Sequence, residues 1–226
     1  MRLLLSLFIS TLVMTSLAEA RHLILCGGPA LRQWEDLRIK KDQHDRWWAN
    51  FIRASTMRMD EIRKIYGPDA PIVWMVYKTG YAKRGQEDNK PYISWIKEQA
   101  EKRNAKIKWF TTGQGAINAI NSQPTNSVKT FDFFGHSNRH CLMLDYGCNI
   151  MASSKAWIHE NDCSKIKSKV FTPNAICHSY GCHTGESMSA RWKSQLGIPL
   201  TGAVGKTDYI PVGQGEMPKV MGHWTQ

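Results

Sequence analysis

Short apolar runs of strand length recur along this chain, and several stretches between them place large apolar residues three or four apart, the spacing of one helical face. That alternation predicts an α/β sheet. His22-Leu23-Ile24-Leu25-Cys26 reads as a strand ending at Gly27-Gly28, and Ile72-Val73-Trp74-Met75-Val76-Tyr77 as a strong one closed by Gly80. Between them Trp48, Ile52, Met59, Ile62 and Tyr66 share one helical face over about 45–66, stopped by Gly67-Pro68. The polar stretch 81–90 reads as a loop. Pro91 suits the first turn of a second helix, with Ile93, Ile96 and Ala100 inward. A strand at 107–110, a short helix around 116–120, a turn at 121–126 and a strand at 128–134 follow. Cys141 to Leu144 suits an edge strand or hairpin arm, and 150–168 looks helical but mixed. A strand beginning at Ala175-Ile176-Cys177 precedes a helix carrying Met188, Trp192 and Leu196. Late strands are expected at Pro199 to Val204 and Tyr209-Ile210, and the Gly- and Pro-rich tail reads as loop.

The first residues have the pattern of an export signal. Arg2 supplies positive charge, Leu3 to Val13 is almost wholly apolar, and Ala18-Glu19-Ala20 offers small residues at cleavage spacing. The expectation is a signal peptide at 1–20, cleaved near Ala20, and a secreted or periplasmic domain at 21–226. The early run is short for a membrane span and nothing later resembles one, so no transmembrane segment is expected in the mature chain. Loss of Arg2 and Glu19 leaves the net charge at +11. Such a balance draws a protein to an anionic surface or polymer. The basic residues are dispersed and no base-reading motif accompanies them, so no specific nucleic-acid partner is expected. Six cysteines, at 26, 141, 148, 163, 177 and 182, are compatible with an exported protein, but their pairing cannot be read from spacing.

Two short signatures follow apolar runs: Phe133-Phe134-Gly135-His136-Ser137 and Tyr180-Gly181-Cys182-His183-Thr184-Gly185. In a parallel sheet the carboxyl ends of strands converge on one crevice, so His136 and Cys182 are candidates for a thiolate–imidazolium pair. Gly135 and Gly181 permit tight turns beside them. A helix beginning near Gly185 is expected to aim amide hydrogens at the cysteine and favour its thiolate. In this reading Cys182 attacks a carbonyl carbon, His136 moves the proton to the leaving group, and the main-chain amides near Ser137 and Cys182 hold the oxyanion. Tyr180, Gly181 and His183 would shape the pocket.

These segments resemble those of the caspase-like cysteine peptidases, metacaspases above all, which carry Ser-Gly-His-Gly after one strand and Asp-x-Cys-His-Ser-Gly after the next core strand. The resemblance covers about residues 70–210 and leaves 21–70 as an N-terminal extension. It implies a three-layer α/β/α sandwich with a mostly parallel central sheet. It also implies a Cys182–His136 dyad with Cys182 as nucleophile, acting on a peptide or protein substrate. Ser137 replaces the family's usual glycine. Tyr180 stands where an acidic residue helps metacaspases choose basic side chains, so neither basic specificity nor a calcium requirement carries over.

Two other classes compete. Cys177-His178 and Cys182-His183, with His136, His140 and Cys141, offer zinc-type ligands, although strand alternation sends Cys177 and His178 to opposite faces. Exposed tryptophans would instead suit a non-catalytic, peptidase-like binding module. Gly27-Gly28 and Gly113-x-Gly115 lack any phosphate-loop pattern, so no cofactor is implied.

Overall fold

A computed structural model describes residues 19–40, 43, 46–147 and 154–225. The expected export signal, apart from its last two residues, and Cys148 lie outside the described residues. The elements run β1 (Arg21–Cys26), α1 (Arg32–Asp36), α2 (Asn50–Tyr66), β2 (Ile72–Tyr77), α3 (Lys78–Asp88), α4 (Tyr92–Lys102), β3 (Lys106–Phe110), α5 (Gly113–Asn121) and β4 (Val128–Phe134). They continue with β5 (His136–Ser137), β6 (Cys141–Met143), β7 (Trp157–His159), β8 (Phe171–Ser179), α6 (Met188–Leu196), β9 (Leu200–Val204), β10 (Thr207–Asp208), β11 (Lys219–Val220) and β12 (His223–Trp224).

The fold is α/β, with a seven-stranded sheet in the order β12-β9-β8-β4-β1-β2-β3. Every neighbouring pair is parallel except β12 with β9. From β1 the chain builds outward through β2 and β3, then returns to place β4 on the other side of β1. The order therefore reverses between β1 and β4, where the carboxyl ends of an open α/β sheet form a crevice. Strand β1 is thus central, with Leu25 in register with Met75 on one side and Phe133 on the other. Within 21–70, β1 lies inside the sheet and α2 packs on it.

All six residues of β2 are buried because helices cover both faces. On one face Leu23, Leu25, Met75, Phe131 and Phe133 pack with Ile117 and Ile120 of α5 and Trp192 of α6. On the other, Ile24, Trp74 and Val76 pack with Ile52, Met59 and Ile62 of α2 and Ile96 of α4. A separate three-stranded sheet, β5-β6-β7, sits beyond the end of β4.

Several local expectations change. Residues 81–90 are not a loop, since α3 continues directly from β2 to Asp88. Its anchor is an ion network in place of an apolar stripe: buried Arg84 pairs with Asp88 at 2.8 Å and donates to the Ala30 carbonyl at 2.9 Å. The described part of 150–168 holds β7 and the 3-10 turn Glu160–Lys165 in place of a helix. Tyr209 caps another 3-10 turn, Ile210–Gln214, and the late strand falls at Thr207–Asp208. The tail forms β11 and β12, paired with β10 and β9, so long-range pairing overrides its loop-like composition.

Candidate active site

Strands β4 and β8 are parallel neighbours, with Phe133 in register with Ser179. The ladder continues one step further through the Tyr180 amide, which donates to the Phe133 carbonyl at 2.9 Å. Each strand then releases its signature at the same sheet edge. His136 enters β5 after Gly135, and Cys182 follows Gly181 in a turn. The signatures touch: the Ser137 hydroxyl donates to the Cys182 carbonyl at 2.7 Å. A Cβ on Gly181 would overlap that hydroxyl, which accounts for glycine there.

The His136 ring is half-buried, edge-on to Phe51 at 5.1 Å between centroids and tilted against Tyr146 at 4.8 Å. Phe51 in turn packs edge-on against Tyr209 at 4.9 Å. The Cys182 thiol is half-buried, and its Sγ accepts the Thr207 amide hydrogen bond at 3.3 Å. The same sulfur lies 3.9 Å from the Thr207 carbonyl, to which the thiol donates. Cys26 and Cys163 are pushed up to about 12, chiefly by burial, and buried Cys177 is raised as well. Half-buried Cys141 is pushed up to about 11 by burial, then by Asp162 and Glu160. These environments suit neutral, unreactive thiols.

The helix expected to begin near Gly185 starts three residues later. Residues 181–187 are turns, and α6 starts at Met188. Its first amides are engaged, Met188 donating to the Arg139 carbonyl at 2.8 Å and Ser189 to Thr184 at 3.0 Å. The donor at the sulfur is the Thr207 amide of β10 instead, which no side-chain pattern announces.

Of the residues expected to shape the pocket, Tyr180 stacks on Phe134 at 4.8 Å and meets Trp224 edge-on at 5.2 Å. Burial, then the Asp132 charge, pushes its phenol up to about 12. His183 has the left-handed φ of +62° and donates its amide to Gly205 at 2.7 Å. Its ring pairs with Glu186, whose carboxylate is held below its ordinary range by that bond and by the Gly205 amide. The Ser137 main chain lies in the β5–β6 pairing, opposite Leu142.

Tyr209 also belongs to this neighbourhood. Its hydroxyl donates to the Tyr180 carbonyl at 3.0 Å. Burial first, with the Cys182 and Cys26 thiols adding, raises its phenol well above the ordinary value. Sequence reasoning placed Tyr209 in a strand and gave it no role; its link to the cysteine loop exists only in three dimensions.

The zinc-type residues do not converge: among the described residues no group of three His, Cys, Asp or Glu side chains is placed to hold a metal ion. Cys177 enters the layer shared with α5 and α6, whereas His178 lies near Asp132 at 3.7 Å and Trp224. Among the described residues no helix is long and apolar enough to cross a membrane. No family model, curated protein or solved structure matches this chain.

Proposed function

We propose that this chain is an exported, caspase-like cysteine hydrolase that cleaves peptide bonds with Cys182 as nucleophile and His136 as its proton-transfer partner. The observation that carries this reading is the convergence of the two signatures. They leave adjacent parallel strands at one edge and are clasped by the Ser137–Cys182 hydrogen bond, while a main-chain amide points at the cysteine sulfur.

The chemistry follows from those groups. The Cys182 thiolate forms a C–S bond to the scissile carbonyl carbon, and the carbonyl π electrons move to oxygen. Main-chain amides of Ser137 and Cys182 are assigned to hold that oxyanion. Collapse expels the amine, which takes its proton from the His136 imidazolium and leaves a thioester. Water then attacks the thioester with His136 as base, releasing the acid and restoring the thiolate.

The deciding experiment is the rate of iodoacetamide labelling at each cysteine, resolved by mass spectrometry from pH 5 to 9, in wild type and His136→Ala. Fast labelling of Cys182 at low pH that depends on His136 supports the dyad. Slow labelling with an ordinary thiol profile, or a Cys182 locked in a disulfide, sinks it. In a turnover assay Cys182→Ala and His136→Ala should each lose about 10²-fold or more, the scale of nucleophilic and acid–base contributions, while remaining folded.

A further inference from the structure

Two aromatic rings meet the imidazole of His136 from different directions. Phe51 of α2 stands nearly perpendicular to it, at 88° and 5.1 Å between centroids, and Tyr146 lies against it at 33° and 4.8 Å. Together they constrain the plane of the imidazole as well as its position. Phe51 is buried in the layer beneath α2, so its contact with His136 is part of the core. Tyr146 is partly exposed and belongs to neither core layer. It is nonetheless held from several sides. Its main chain forms a parallel bridge with Ala30, and just before it the Gly28 amide donates to the Leu144 carbonyl at 2.8 Å. The Ala30 carbonyl accepts from buried Arg84 at 2.9 Å, which ties this run to α3. The Arg38 guanidinium lies over the Tyr146 ring at 5.2 Å and pairs with buried Glu35 at 3.1 Å.

We propose that Tyr146 is a positioning residue for His136: its ring, braced by Arg38 and by the Ala30 bridge, keeps the imidazole in the plane from which it exchanges a proton with Cys182. The proposal rests on the dyad reading above. The terminal torsion of a histidine is broad, so a proton-transfer geometry needs a neighbour that selects one orientation of the ring. An aromatic ring packed against the imidazole makes that selection through many dispersion contacts at once. The contribution is orientation and not charge. A ring face attracts a cation within about 6 Å, but Arg38 already lies over this ring. An imidazolium would share the ring with a guanidinium, and their repulsion offsets the attraction. A phenyl group at this position therefore serves as well as a phenol, and an aliphatic side chain does not. Because Tyr146 is partly exposed, its truncation opens no cavity in either core layer.

The test follows iodoacetamide labelling of Cys182 across pH in the full chain. Tyr146→Leu and Tyr146→Met should each slow labelling at low pH about tenfold; a misplacement of about 1 Å can cost about 10²-fold. Tyr146→Phe should stay within about twofold of wild type, since it keeps the ring. At high pH, where a thiol ionises without a partner, all four proteins should label alike. In the His136→Ala background the added Tyr146→Leu should change nothing, because a residue that acts through the histidine loses its effect with it. Two aliphatic variants are used so that loss of fold in one, seen by circular dichroism, leaves the other to decide. Low-pH rates equal to wild type in the aliphatic variants overturn the positioning role and leave the dyad intact. So does a slowing that Tyr146→Phe shares, that extends to high pH, or that persists without His136. Wild-type labelling that ignores His136 removes the dyad, and this proposal with it.

Discussion

The hydroxyl of Ser137 donates to the main-chain carbonyl of Cys182 at 2.7 Å, joining the loop after one core strand to the loop after its neighbour. The fit leaves no spare room, since a Cβ on Gly181 would overlap Ser137 Oγ and come within 3.0 Å of the Phe133 ring. The approach of the two signatures is therefore built from a short hydroxyl and a missing side chain. The Ser137 hydroxyl supplies a bond that glycine at that position could not make.

Substitutions at these positions should differ in kind. Ser137→Ala removes one hydrogen bond, a stability loss of about 1 kcal/mol by urea denaturation. Gly181→Ala forces the loops apart and should cost about 1–3 kcal/mol, the range of an overpacked interior. It should also slow Cys182 alkylation more than Ser137→Ala does. A Gly181→Ala protein as stable and as reactive as wild type contradicts the close fit.

Tyr209 offers a second handle on the same loop. Its hydroxyl holds the Tyr180 carbonyl, and its ring supports Phe51 against His136. Tyr209→Phe keeps the ring and leaves a buried acceptor unpaired, at about 1–3 kcal/mol. Tyr209→Ala also strips the support behind Phe51. The expected order of turnover is wild type, then Phe, then Ala, with the step from Phe to Ala the larger. Equal turnover in all three removes Tyr209 from any positioning role.

Strands β2 and β4 were legible because they bury both faces: Ile72 to Tyr77 is a continuous apolar run, and Val128, Phe131, Phe133 and Phe134 mark the strand that leads into His136. What sequence reading missed has a common physical origin. Helix α3 is held by Arg84 and Asp88, charges that read locally as a solvated loop. Strand β12 has no apolar run of its own and owes its conformation to the β9 edge. The donor at Cys182 Sγ is the amide of Thr207, a group every residue but proline carries. Periodicity reports side chains, so contacts made by main chain or by distant charge pairs leave no pattern.

Beneath the site, fully buried Asp132 of β4 pairs with Arg58 of α2 at 3.0 Å, and His178 of β8 lies 3.7 Å away. Burial works against the Arg58 charge, but Asp132 and Glu61 outweigh it and hold the guanidinium protonated. Arg58→Met would leave a carboxylate without its cation inside the protein, a loss of about 3–5 kcal/mol. Adding Asp132→Asn should restore a large part of that loss, because the stranded charge is gone. Urea midpoints of the two single variants and the double variant measure the coupling. Simple additivity of the two losses contradicts an ion pair.

His22 sets a pH dependence at the opposite end of the strands. It is buried, bonds Thr130 through Nδ1 at 3.0 Å and packs on Tyr66 with centroids 4.5 Å apart. Burial, then Lys129, lowers its pKa from 6.5 to about 4; Asp132 pulls the other way and Arg58 reinforces the fall. Between those two values the unfolded chain binds the proton and the folded chain does not, so stability rises with pH across that window. Acidification from about 6.5 towards 4 should therefore destabilise the protein progressively, with no further contribution from His22 above that range. His22→Gln, which cannot titrate, should show a flatter dependence of Tm on pH over the same interval. The two profiles should become parallel above pH 7, where His22 is neutral whether folded or unfolded. Identical slopes for both proteins between pH 4.5 and 6.5 would falsify the assignment of this limb to His22.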